Sequence, residues 1–267
     1  MSILLVGCGN MGRALLTAWL RVGITDIYIV KPSPIKIDES VDISGVKYFK
    51  TMEELPDNFL PQVILFAVKP QMLAEILPLY ARKFAYNPLY LSVAAGKKLD
   101  FYAEKLGTAA RVIRVMPNTP TMIGEGMTAL FANTKIIPED MIIAENLLQP
   151  TGEILWLANE QQMDVVTAVC GSGPAYIFYF MEAMIAAAEK NGLDKISAKM
   201  LVRQTVRGSA GMALMSDEDL NILRENVTSP NGTTAAGLRV LMSDGKLQEL
   251  LDATIASACQ RSKELSA

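Results

Sequence analysis

The chain has 267 residues, 51% of them hydrophobic, with 25 basic against 28 acidic side chains for a net charge of −3 and no histidine. That is enough apolar material for one large or two moderate cores. The near balance of charge, with no extended Lys/Arg run, argues against a nucleic-acid partner. Without histidine, and with Cys8, Cys170 and Cys259 far apart, a zinc site and a Ser/His or Cys/His nucleophile are excluded, so no metal is expected.

The first element is a short apolar run, Ile3 to Val6, that reads as a buried strand and opens directly into glycines at Gly7, Gly9 and Gly12. The spacing G-x-G-x-x-G between a strand and a helix is that of a dinucleotide turn. The first glycine permits the turn, the second admits a pyrophosphate, and the third lets helix and strand pack closely. Asn10 and Met11 lie inside the motif, where backbone N–H groups at a helix start face an anion. The helix pattern runs from Met11 to Val22 and stops at Gly23. A strand beginning almost at the first residue leaves no room for a signal peptide, and three scattered thiols fit a reducing cytoplasm.

A second strand is expected over residues 24–30, and the residues after it bear on the type of nucleotide. An NAD site places an acid about 20 residues beyond the glycines, on the ribose 2′-hydroxyl. Residues 27–37 contain no acid but offer Lys31, Ser33 and Lys36, which suit a 2′-phosphate and favour NADPH, with NADH as the alternative. Further strands are expected at 63–68, 89–95 and 111–115, separated by helices near 70–83 and 100–106. A strand at 127–131, a helix at 138–148 and a strand at 153–157 follow. Alternating strands and helices imply a doubly wound parallel sheet. Its strand ends should carry the ligand, and there lie Ala67, Val68, Lys69 and Pro70, then Ala94, Ala95 and Gly96, then Asn118. Lys69 suits a phosphate, the small residues a flat ring, and Asn118 a carboxamide or substrate.

From about Glu160 onward strand signals give way to Ala-, Leu- and Met-rich helical patterns, which divides the chain into residues 1–159 and 160–267. Residues 168–188 carry a single charge, Glu182, over a length that would span a membrane, but Gly171, Ser172, Gly173 and Pro174 interrupt them. A helix apolar all round is equally suited to a subunit interface, which is the reading favoured here. Helices are expected at 174–191, 195–214 and 232–263. Apolar on more than one face, they imply a homo-oligomer.

Within this half, residues 226–238, NVTSPNGTTAAGL, are the most distinctive stretch of the chain. Together with VGCGNMG, AVKPQ, SVAAG, RVMPNTP and GSGPAY, in that order, they resemble pyrroline-5-carboxylate reductase over essentially the whole length. The resemblance implies a Rossmann-type sheet domain followed by an all-helical dimerisation domain, and reduction of Δ1-pyrroline-5-carboxylate to L-proline by NAD(P)H. It implies a homodimer, assembled in some members into a decamer, with the site where one subunit's sheet edge meets its partner's helices. By the same resemblance Thr234 is the residue at the ring nitrogen, and Gly232 and Thr233 hold the substrate carboxylate. Ser229 and Asn226 support the loop, Asn226 also reaching toward the cofactor. Glu160 is a weaker candidate for the substrate, since an acid opening a helix is favourable in any case. Asp217 stands where many members carry glutamate.

Two other readings remain at this level. The β-hydroxyacid dehydrogenases share the two-part plan but need a catalytic lysine after a glycine-rich turn, and residues 170–189 contain none. A regulatory NADP-binding protein without turnover would have no use for residues 226–238.

Overall fold

The computed structural model describes residues 1–34 and 42–266. The first part alternates strand and helix. It runs β1 (Ile3–Val6), α1 (Asn10–Arg21), β2 (Ile27–Val30), β3 (Val46–Phe49), β4 (Val63–Phe66), α2 (Leu73–Lys83), β5 (Leu89–Ser92), α3 (Leu99–Leu106) and β6 (Arg111–Met116). Then come β7 (Gly126–Ala132), α4 (Pro138–Leu148) and β8 (Gly152–Trp156). The eight strands form one sheet in the order β3-β2-β1-β4-β5-β6-β7-β8, parallel except where β6 meets β7. The expected doubly wound sheet is thus present, with its order reversing between β1 and β4, where such sheets open a crevice.

Strands buried on both sides account for the continuous apolar runs in the sequence. On one face Ile3, Leu5, Ile27, Ile29, Val63 and Leu65 pack with Leu15, Leu16 and Trp19 of α1 and with Leu147 and Leu148 of α4. On the other, Leu4, Ile64, Phe66 and Tyr90 pack with Leu73, Leu77 and Tyr80 of α2 and Tyr102 of α3.

The second part is helical: α5 (Gln162–Val166), a π turn over Thr167–Gly171, α6 (Gly173–Lys190), α7 (Lys195–Met215), α8 (Leu220–Asn226), α9 (Thr233–Leu241) and α10 (Lys246–Ser266). Among the described residues, no helix is long and apolar enough to cross a membrane. The single helix expected over 232–263 is two, because Asp244 and Gly245 adopt left-handed φ of 55° and 67° that stop α9 before α10 begins.

By compactness the chain divides into Met1–Pro174 with the residues from Ser257 onward, and Ala175–Ala256. The compact sheet unit thus runs on to Pro174 and takes in the last residues of the chain. Met163 is buried in one cluster with Met116 and Ala129 of the sheet, and Ser262 of the last helical turns donates to Asp164 at 2.6 Å. In the helical unit, Ala198 and Val202 are the buried apolar residues among those described.

Candidate active site

Every sheet-unit residue expected at the cofactor follows the carboxyl end of β1, β2, β4, β5 or β6. Gly7 has φ +83°, and a Cβ there would lie 2.6 Å from both the Ala67 carbonyl oxygen and the Val68 side chain, so the turn after β1 and the end of β4 require its absence. At Gly12 a Cβ would meet the Gly7 carbonyl oxygen at 3.0 Å and Ala67 at 3.2 Å, which is the close packing of α1 on the sheet. Gly9 differs from both. Its φ of −76° is ordinary, and no protein atom lies within 4 Å of the position its Cβ would take. It is the N-cap of α1, and no side chain caps that helix. The first amides of a helix have no partner within it, so Asn10, Met11 and Gly12 present N–H groups beside open space where a bound anion fits.

Beyond β2, the Lys31 ammonium donates to the Ser33 hydroxyl at 2.7 Å and to the carbonyls of Ser33 and Pro34 at 3.0 Å, while Tyr48 of β3 donates to the Lys31 carbonyl at 2.7 Å. The expected lysine and serine are therefore adjacent and jointly held. Lys36 lies outside the described residues. The Cys8 thiol registers the electrostatics of this corner. Burial pushes it up to about 11, against the opposing pull of Lys31 and then Arg13. Both cations thus lie close enough to act on the thiol, which stays protonated and adds no negative charge. This arrangement fits a nucleotide with a 2′-phosphate.

Lys69 is exposed just ahead of Pro70, which opens a short 3₁₀ turn. Asn118 accepts the Met127 amide at 2.9 Å through its side-chain oxygen, so part of its hydrogen-bonding capacity holds the start of β7. After β5, Ala94 is buried and Ala95 half-buried. Gly96 has φ +74°, and its bare face is taken up by the C-terminal turn, since a Cβ would lie 2.9 Å from the Leu265 carbonyl oxygen. The missing side chain at Gly96 thus makes room for the protein's own chain rather than for a flat ring.

Glu160 also has a different setting from the one expected. Its Oε1 accepts both the Leu99 amide, the first of α3, and the Arg114 guanidinium, each at 2.7 Å. Arg114 is 6% exposed and sits opposite Ser92, whose hydroxyl accepts from Tyr102 at 2.7 Å. Burial pushes the Tyr102 phenol up to about 12. A cavity of about 490 Å³ lies beside the pair, lined by Lys98, Asp164, Cys259 and Lys263 among others. The sequence offered little to find this network. Arg114 reads there as a charge in an apolar strand, and its partner lies 46 residues away.

In the helical unit the residues from Asn226 to Thr234 come together locally. Asn226 ends α8 and donates to Glu218 at 3.2 Å; Asp217 is exposed. Ser229 and Gly232 close a turn through the Gly232 amide and Ser229 carbonyl at 3.1 Å, with Asn231 at φ 57°. Gly232 is the N-cap of α9, again with no side-chain cap, and a Cβ on it would collide with the Ser229 hydroxyl. The Gly232 amide is consumed by the turn, so the amides open to a carboxylate are those of the first helical turn, beginning with Thr233 and Thr234. Both residues are exposed.

Comparison with known proteins bears on both parts. Residues 160–265 match the family model described as pyrroline-5-carboxylate reductase dimerisation, and residues 2–96 that of NADP oxidoreductase, coenzyme F420-dependent. Pyrroline-5-carboxylate reductase of Pasteurella multocida is 35% identical over 99% of this chain and 97% of its own length; that of Escherichia coli is 34% identical over 98% and 97%. Among solved structures, the pyrroline-5-carboxylate reductase of Coxiella burnetii superposes with a TM-score of 0.92 at 35% identity, covering 100% of this chain and 98% of that one. The Plasmodium falciparum enzyme, solved with NADP bound, gives 0.87 at 29% identity with the same coverage.

Proposed function

The chain belongs to the pyrroline-5-carboxylate reductase family, and from that premise we propose that it reduces Δ1-pyrroline-5-carboxylate to L-proline with NADPH, the last step of proline synthesis, through the residues described above. The observation that carries this reading is a pair of helix N-termini, at Gly9 and Gly232, each capped by a glycine and by no side chain. Each leaves amides for an anion. One suits the pyrophosphate of the cofactor, the other the carboxylate of the substrate.

When bound, NADPH supplies the hydride. The chain's own part is to hold and orient. Gly9, Asn10, Met11 and Gly12 receive the pyrophosphate, with Gly7 shaping the turn. Lys31 and Ser33 meet the 2′-phosphate, Lys69 adds a cation, and Ala67, Val68 and Pro70 with Ala94, Ala95 and Asn118 form the remaining edge. In the helical half, the amides of Thr233 and Thr234 anchor the carboxylate. The Thr234 hydroxyl bonds the ring nitrogen, Ser229 keeps the turn closed, and Asn226 reaches the cofactor. The imine carbon accepts hydride best when its nitrogen is protonated, and water delivers that proton before binding, so a chain without histidine lacks nothing the chemistry needs. Orientation then carries the rate.

The division of labour proposed is residues 1–159 for the nucleotide and 160–267 for substrate and self-association. The working form is a cytoplasmic homodimer, with the decamer as its higher assembly. The test is NADPH oxidation with pyrroline-5-carboxylate, repeated with NADH and with Lys31→Glu. Turnover is expected, and the substitution lowers kcat/KM at least tenfold more for NADPH than for NADH, since an ion pair to phosphate contributes about 1.5–3 kcal/mol. NADPH binding without turnover would point to a regulatory protein.

A further inference from the structure

The loop of residues 93–98 connects β5 to α3 and is gripped at two points. At one, Glu160 accepts the Leu99 amide while paired with Arg114. At the other, Leu265 lies against Gly96, and the turn that carries it is fastened by Ser262 to Asp164 at 2.6 Å. Beneath, Ser92 accepts from Tyr102.

We propose that Glu160, oriented by Arg114, is a positioning residue that fixes this loop, and through it the nicotinamide end of the cofactor, by holding the first amide of α3. The proposal rests on the reading of Ala94 and Ala95 as cofactor-edge residues.

A buried arginine carries a large desolvation cost that only a close, well-bonded carboxylate offsets, and an ion pair of this kind is weak support for stability by itself. What the pair adds is direction. The guanidinium holds the carboxylate while the same oxygen, Oε1, takes the Leu99 amide. Leu99, Phe101 and Tyr102 pack the start of α3 onto the core, and on the side where the cavity leaves room the Glu160 hydrogen bond to the Leu99 amide fixes the end of the loop. Releasing that bond frees the loop at Leu99 while leaving the glycine turn and Lys31 untouched, since those stand on β1 and β2.

The test separates the two ends of the cofactor. Two double variants both remove the buried ion pair and differ only at the amide acceptor: Arg114→Met with Glu160→Gln keeps an oxygen for Leu99, and Arg114→Met with Glu160→Ala does not. Neither leaves a buried charge unpaired, so both are expected to fold. Dissociation constants are measured by fluorescence titration for NADPH and for 2′,5′-ADP, which engages the adenosine end alone. The alanine double variant is expected to bind NADPH at least fivefold more weakly than wild type with 2′,5′-ADP unchanged, and the glutamine double variant to stay within twofold for both. Equal NADPH affinities in the two double variants, or parallel losses for both ligands, overturn the proposal. Wild type that binds neither ligand would instead overturn the nucleotide reading on which the proposal rests.

Discussion

Three glycines in one motif have three different settings, and substitution distinguishes them. Gly9→Ala places a methyl where no protein atom lies within 4 Å, at an ordinary φ, so the melting temperature should hold while NADPH affinity falls on the order of tenfold or more. Gly7→Ala meets a carbonyl at 2.6 Å at φ +83° and should destabilise the fold itself by at least ~1–2 kcal/mol from the left-handed backbone alone. Calorimetry with NADPH titration checks both. Between them lies Cys8, whose thiol ionises near 9.0 in the unfolded chain and about 11 when folded. Across that window the unfolded chain binds fewer protons, so stability is present at lower pH and falls as pH rises, by about 1.4 kcal/mol per unit at the steepest. Cys8→Ala should flatten the slope of stability against pH between 9 and 10, as read by chemical denaturation.

At the scale of elements, α1 is tied to α4 by the Trp19 indole donating to the buried Leu147 carbonyl at 2.6 Å. Trp19→Phe keeps an apolar ring but orphans that carbonyl, and should cost about 1–3 kcal/mol in urea unfolding. Most elements were legible in the sequence. Strands β1, β4, β5 and β6 are apolar runs with turn residues after them, and α4 follows the expected 138–148 because Pro138 opens it. What escaped had weaker signals. Strand β3 is four residues on a sheet edge with Lys47 and Tyr48 exposed, so no buried run marks it. The break between α9 and α10 was written in Ser243-Asp244-Gly245, a turn signal overridden by the apolar pattern on either side. The residues of the candidate site were visible as a glycine motif and a hydroxyl-rich turn. The consumption of the Gly232 amide by Ser229, the Leu265 contact at Gly96 and the Arg114–Glu160 pair were not, because each depends on which groups the fold brings together.

For the whole molecule, the helical unit's apolar surface is the dominant fact. Phe178, Tyr179, Ile196 and Leu214 are 59%, 73%, 82% and 86% exposed in the single chain. Helices bearing that much exposed apolar surface need another copy to cover it, and the match of residues 160–265 to a dimerisation family agrees with a homo-oligomer. Phe178→Lys should shift light scattering toward a smaller species and lower the melting temperature. A variant with unchanged mass and stability would place that side chain outside the interface. If residues 229–234 orient an imine for reduction, the loss of NADPH absorbance with pyrroline-5-carboxylate in wild type and Thr234→Ala will show it. Losing a hydrogen bond to a charged nitrogen costs about 1.5–3 kcal/mol, so kcat/KM should fall roughly 10- to 100-fold with NADPH affinity unchanged. Wild-type turnover undiminished by the substitution would rule out that role for Thr234.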